Sequence, residues 1–159
     1  MKYNIKASLI VFLVFLIIFL LLNNNLANLF KVEDSQEQKQ NLINSVKINE
    51  AVLNVELAVS NAERTMGLSN RTSLKPDEGM LFVFNNSGKY PFWMKDMNFP
   101  IDIIWIDENQ KVVLFEKDAK PESFPNLLGG TVEAIYVLET VSGFVDKNNI
   151  KIGDTVEFF

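Results

Sequence analysis

The sequence predicts a mostly β, α+β domain: a compact, partly closed barrel or rolled antiparallel sheet of about seven short strands with one or two short helices, preceded by a transmembrane helix. Three observations carry this. Short runs of Val, Ile, Leu and Phe recur along residues 50–159, separated by tight turn signals. Only two stretches there read as helical, and no strand-helix-strand alternation runs through the chain, which disfavours a doubly wound fold. Residues 7–22 read ASLIVFLVFLIIFLLL, with Ser8 as the one polar side chain.

That run is long enough to reach about 24 Å as a helix, a little short of a hydrocarbon core. Tyr3, Ile5 and the stem of Lys6 extend it, with the ammonium snorkelling outward. Lys2 and Lys6 precede it and no cation follows before Lys31, so the N-terminus is expected in the cytoplasm and the rest outside. A cleaved signal peptide is the rival. The following NNNLANLF lacks a small-x-small cleavage site, which favours an uncleaved single-pass anchor over residues 1–22. The chain would be secreted if the leader were removed. Residues 23–49, rich in Asn, Gln, Lys and Glu without Gly or Pro, read as a polar linker. The folded domain is expected over residues 50–159.

Within it, AVLNVELAVS places Ala51, Leu53, Val55, Leu57 and Val59 on one strand face and Asn54, Glu56 and Ser60 on the other. SNAERTMG opens a short helix, with Ser60 and Glu63 at capping-box spacing and Gly67 as the C-terminal stop. LKPDEG is a turn, with Asp77 and Gly79 closing it after Pro76. MLFVF (80–84) is a strand, NNSG (85–88) a hairpin connection and YPFWM (90–94) the returning strand. IDIIWID (101–107) and KVVLF (111–115) form a second hairpin around ENQ. Residues 116–130 are a long loop. TVEAIYVLE (131–139), apolar on nearly both faces, is a central strand. SGFVDKNN gives one helical turn, and IKIGDTVEFF ends as a turn and a strand.

Composition narrows the chemistry. The chain has 159 residues, a net charge of −5, no His and no Cys. An acidic chain without a basic stripe is not expected to bind nucleic acid. The missing His and Cys exclude a Ser-His-Asp triad, thiolate catalysis, disulfides and His- or Cys-ligated metal. No cofactor or metal is expected. A calcium site from loop carboxylates stays open, though EF-hand spacing is absent.

The candidate site is FWMKDMNFPID, residues 92–102. Trp93 offers a flat apolar wall, and Lys95, Asp96 and Asp102 are charges set among apolar neighbours. Asp102, between Ile101 and Ile103, must be paired or wet. Its partner could be a backbone N–H, Lys95, Arg64 or Arg71. One reading has Asp102 pinning the loop over 95–100; the other has it line a ligand groove with Trp93 and Lys95. Arg64 is a candidate anion clamp, and Glu78 a second carboxylate that the fold could bring to Asp102.

In order along the chain, ER..GL, GMLFVF, FWMK...FPID, YVLE...G and IKIGD resemble DUF family 192, a prokaryotic family of unknown function. The likeness covers roughly residues 53–159. Where that family carries F-W-M-K-N-T-x-I-P-L-D, this chain has Asp96 in place of Asn and Met97 in place of Thr, and Ser69 replaces a common Met. The resemblance implies a small, mostly β domain, often exported or tethered, and brings no reaction with it.

The expected function is a membrane-anchored extracytoplasmic domain that binds a ligand or partner through a groove near residues 92–102. The ligand would be a small molecule, a glycan or an envelope protein. One alternative is a carboxylate-dependent hydrolase acting on an envelope glycan or a lipid-linked substrate. The other is a structural domain docking on an envelope protein. The balance leans away from an enzyme.

Overall fold

The structure, a computed structural model, describes residues 43–159 together with residues 19, 20, 22 and 23. The proposed anchor over residues 7–22 otherwise lies outside the described residues. Among those described, no helix is long and apolar enough to cross a membrane. The fold belongs to the unit Asn41–Phe159.

Among the described residues of this unit, nine strands and two short helices follow one another: β1 (Ser45–Ile48), β2 (Ala51–Ala58), α1 (Asn61–Met66), β3 (Glu78–Gly88), β4 (Pro91–Phe92), β5 (Ile101–Ile106), β6 (Val112–Ala119), a 3-10 turn (Pro121–Ser123), β7 (Leu128–Gly129), β8 (Ala134–Val141), α2 (Phe144–Lys147) and β9 (Val156–Phe158). Seven of the strands form one sheet in the order β6-β5-β8-β3-β2-β1-β9, and β4 pairs with β7 apart from it. The sheet curls until its two edges meet. Lys111 bridges Thr155, and the Val112 amide donates to the Asp154 carbonyl at 3.0 Å. The result is the partly closed barrel that the strand spacing predicted.

Alternation explains how a single sheet supports two cores. Leu53, Leu81, Val83, Ile104, Ile106 and Leu138 point to one face and pack with Phe144, Val145 and Val156. Met80, Phe82, Ile101, Ile103, Trp105 and Val137 point to the other, where Leu68, Met94 and Met97 cover them. Every residue of β5 is buried as a consequence. Each fully buried Ile there contributes roughly 1.5–3 kcal/mol.

The local predictions hold at α1. Ser60 accepts from the Glu63 amide and Glu63 accepts from the Ser60 amide, closing the capping box. Gly67 follows at φ +50°, a backbone shape that a side chain resists. The β5–β6 hairpin, the central β8 and the α2 turn also lie where the sequence put them.

The stretch 116–130, read as one long loop, instead holds the end of β6 up to Ala119 and the short β7 at Leu128–Gly129, and four further features differ from the sequence reading. First, β1 occupies part of the stretch assigned to the linker, so the sheet begins ahead of residue 50. Second, β2 and β3 are parallel, because α1 and the loop behind it carry the chain back to the same end of the sheet. Third, residues 85–88 are not a hairpin: β3 continues through them, with a bulge between Val83 and Gly88 against β8. Residues 90–94 leave the sheet, and Pro91 and Phe92 pair with Gly129 and Leu128 instead. Fourth, Gly79 lies inside β3 rather than in the turn; a Cβ there would sit 2.9 Å from the Glu139 carbonyl oxygen.

Candidate functional site

The segment 92–102 divides at a turn. Met94 and Met97 are buried, the latter at 9% exposure, and the Met97 amide donates to the Met94 carbonyl. Lys95 and Asp96 stand at the exposed tip between them. Asp96 has φ +57°, a conformation that Asn and Asp tolerate better than most residues. Its exchange with the family's Asn therefore conserves the backbone. The turn is fixed to the loop after α1: Ser69 Oγ donates to the Lys95 carbonyl (2.8 Å), the Asn70 amide to the Asp96 carbonyl (2.7 Å) and Asn98 Nδ2 to the Arg71 carbonyl (2.8 Å).

Asp102 is fully buried, but on the face of Ile104 and Ile106. Its oxygens accept from the amides of Asp118 and Val145, both at 2.9 Å. It thereby holds the end of β6 and the first turn of α2. Of the partners considered for it, backbone N–H groups are the ones it has. Asp102 is a brace and does not share a hollow with Trp93. Glu78 is half-buried and paired with Lys75, whose hydrogen bond holds its carboxyl below the usual range. Its bonds go to Lys75 and not to Asp102, and it does not line the cleft that holds Trp93.

Trp93 and Arg64 do come together. A cleft of about 440 Å³ opens on the second face of the sheet, between α1, the loop behind it, and β4. Phe82, Phe84, Phe92 and Trp93 supply aromatic surface, and Met97 and Leu127 add aliphatic surface. Phe82 meets Phe92 edge to face at 4.8 Å. Phe92 in turn meets the buried Trp105 at 5.9 Å. The indole of Trp105 donates to the Tyr90 carbonyl at 2.8 Å, which fixes the approach to β4. Gly129 completes this support, since a Cβ on it would fall 2.1 Å from the Trp105 ring. Trp93 is 45% exposed at the mouth, edge to face with Phe124.

Beside the polar Asn61, Thr65 and Ser69, one basic and one acidic side chain line this space. The Arg64 guanidinium donates to the carbonyls of Val59 and Val83 and to Asn61 Oδ1, and lies 5.1 Å from the Phe84 ring centroid. The other is Glu139, which the sequence reading passed over. It ends a strand read as apolar on both faces, yet it lines the cleft at 5% exposure. Its Oε2 has no hydrogen-bond partner among the described residues. Burial pushes its carboxyl up to about 8, with the Arg71 charge opposing. Arg71 itself is held by a bidentate pair with Glu56 (2.6 and 2.7 Å). A buried polar atom left without a partner costs free energy, so its retention in a cleft marks a place where something else can bond to it. The signal available in the sequence was the one that flagged Asp102: a lone acid at the end of an apolar run.

Comparison with known proteins follows the same boundaries. The DUF192 family profile, described as an uncharacterized ACR, matches residues 44–158. A crystal structure of a candidate transcription regulator from Sinorhizobium meliloti 1021 is similar at 31% identity, covering 72% of this chain and 92% of that one, with a TM-score of 0.68. A protein of unknown function from Novosphingobium aromaticivorans DSM 12444 is similar at 33% identity, covering 72% and 84%, with a TM-score of 0.69. No curated protein matches the chain.

Proposed function

This chain belongs to the DUF192 family, and from that premise and the cleft we propose that its folded unit is a binding module for a small molecule. The observation that carries the reading is the partnerless, buried Glu139 carboxyl in an aromatic-walled cleft of about 440 Å³. Ligand sites are concave, mostly apolar and fitted with a few converging polar groups. Trp93 and Arg64 belong to this site; Glu78, Lys95, Asp96 and Asp102 do not line it.

The hydrolase alternative loses its support here. Glycoside hydrolysis needs two facing carboxyl groups, and Glu139 is the one acid that lines the cleft. Docking of an envelope protein has weaker support. Met66, Trp93 and Leu127 are exposed apolar side chains at the rim, but a concave site lies beneath them. The regulator described for Sinorhizobium meliloti is not a guide to nucleic-acid binding in this chain, whose net charge is −5.

A thermal-shift screen of small molecules against the purified protein tests the reading. Trp93→Ala should weaken any hit about tenfold while the ligand-free melt stays within a few degrees, because the ring is 45% exposed. Hits that bind Trp93→Ala as tightly as they bind the unaltered protein would refute the cleft as their site.

The same proposal keeps the domain outside the cytoplasm on a single-pass anchor over residues 7–22, supported by the apolar run behind Lys2 and Lys6. Because the chain has no Cys, one introduced at the exposed Ser87 reports location cleanly. Ser87→Cys should react with a membrane-impermeant maleimide in intact cells. Labelling only after lysis would reverse the orientation.

A further inference from the structure

We infer that the cleft selects a small organic acid with an apolar body, its ionised carboxylate bonded by the Arg64 guanidinium and the Glu139 carboxyl together. The inference rests on the small-molecule reading above and adds the chemical class.

The charges of the cleft argue for an anion. Arg64 lines it and has no carboxylate within ion-pair distance among the described residues. Its three hydrogen bonds go to neutral acceptors. A guanidinium carries five donors, so two remain, on a group already held in place. That fixes a positive charge without the entropy cost of ordering a free side chain. A cationic ligand would meet this charge unfavourably. A neutral ligand would leave both the charge and its spare donors dehydrated.

Glu139 supplies the complementary half. It is buried, its Oε2 is unbonded, and burial keeps the carboxyl protonated at neutral pH. A protonated carboxyl is an O–H donor, and a ligand carboxylate is its strongest natural acceptor. The neighbouring strands bring no charge to it: its cross-strand partners are Met80 on β3 and Ile103 on β5. The charge that acts on it is Arg71, paired with Glu56 on β2, while Arg64 on α1 lines the same cleft. The aromatic and aliphatic walls take the rest of the ligand, and the volume is at the lower end for ligand pockets.

Protonation of Glu139 is then linked to binding. Carboxylate affinity should hold through neutral pH and fall up to tenfold per unit once pH passes about 8, as ionised Glu139 repels the ligand.

Calorimetry on the full-length protein in detergent tests this with phenylacetate, indole-3-acetate, hexanoate and octanoate, each beside its primary amide and its matched amine. At neutral pH at least one carboxylate should bind tenfold or more tighter than its amide and amine, and lose that margin at high pH. Glu139→Gln keeps an N–H donor and should remove the alkaline loss while retaining binding. Arg64→Gln should abolish the preference for carboxylate over amide. Should that variant fail to fold, the ranking and pH profile of the unaltered protein decide the matter. Amides or amines that bind as tightly as the acids would overturn the chemical class and leave the cleft reading standing. No binding by any compound of the panel would overturn both.

Discussion

Asp102 and Glu139 are both buried acids in adjacent strands, and their environments assign them opposite roles. Asp102 is satisfied by two amides and braces the barrel interior. Glu139 is on the other face, in the cleft, with an oxygen unbonded. Their partners are nonlocal: the amides on Asp102 lie 16 and 43 residues away in sequence. The sequence could mark Asp102 as a charge requiring a partner but could not say which. It offered the same mark at Glu139, where a strand end is easily taken for a solvated one. The difference has a measurable consequence. Glu139 is raised from 4.5 to about 8 in the folded state. Above pH 4.5 the unfolded chain ionises there and the folded chain does not, so the unfolded state binds fewer protons. Folding stability should therefore fall as pH rises across that window and level off above about pH 8. The slope is about 1.4 kcal/mol per unit, and the total is on the order of 5 kcal/mol. Glu139→Gln should remove this slope. Urea melts of both proteins across the window check it; parallel pH profiles would show that Glu139 titrates normally.

At the level of elements, legibility followed locality. The capping box of α1, the β5–β6 hairpin and the α2 turn are set by residues within a few positions of one another, and each lies where the sequence placed it. The errors arise where distant strands override local signals. Asn85, Asn86 and Ser87 have turn chemistry, yet β3 runs on through them toward Gly88, which pairs with Ala134 of β8. Four residues, Ser45–Ile48, are too short a pattern to stand out from a polar linker; β2 and β9 on either side make them a strand. The 92–102 motif was singled out for the right reason but divided wrongly. Its apolar members cover the second core and support the cleft, whereas Lys95 and Asp96 form the tip of a turn. The cleft also needs α1, β3 and β8, and no spacing rule joins Arg64, Phe82 and Glu139.

For the whole molecule, the position of β1 decides how the barrel holds together. It is next to last in the sheet, and β9 reaches the other strands only through it and the Lys111–Thr155 bridge. Val46 and Ile48 of β1 are fully buried against Leu53, Val156 and the rest of the first core. Removing those two side chains alone forfeits roughly 3–6 kcal/mol, against a total stability of about 5–15 kcal/mol for a domain. Loss of the β1 backbone would also leave β2 and β9 with open edges. A fragment beginning at residue 50, the boundary suggested by composition, should therefore lack a cooperative thermal transition and expose apolar surface to a dye. A fragment spanning Asn41–Phe159 should melt in a single step. Because the cleft lies on the opposite face from this core, the shorter fragment should lose ligand binding only through global unfolding. If it melts within a few degrees of the longer one, β1 is an ornament on a barrel that closes without it.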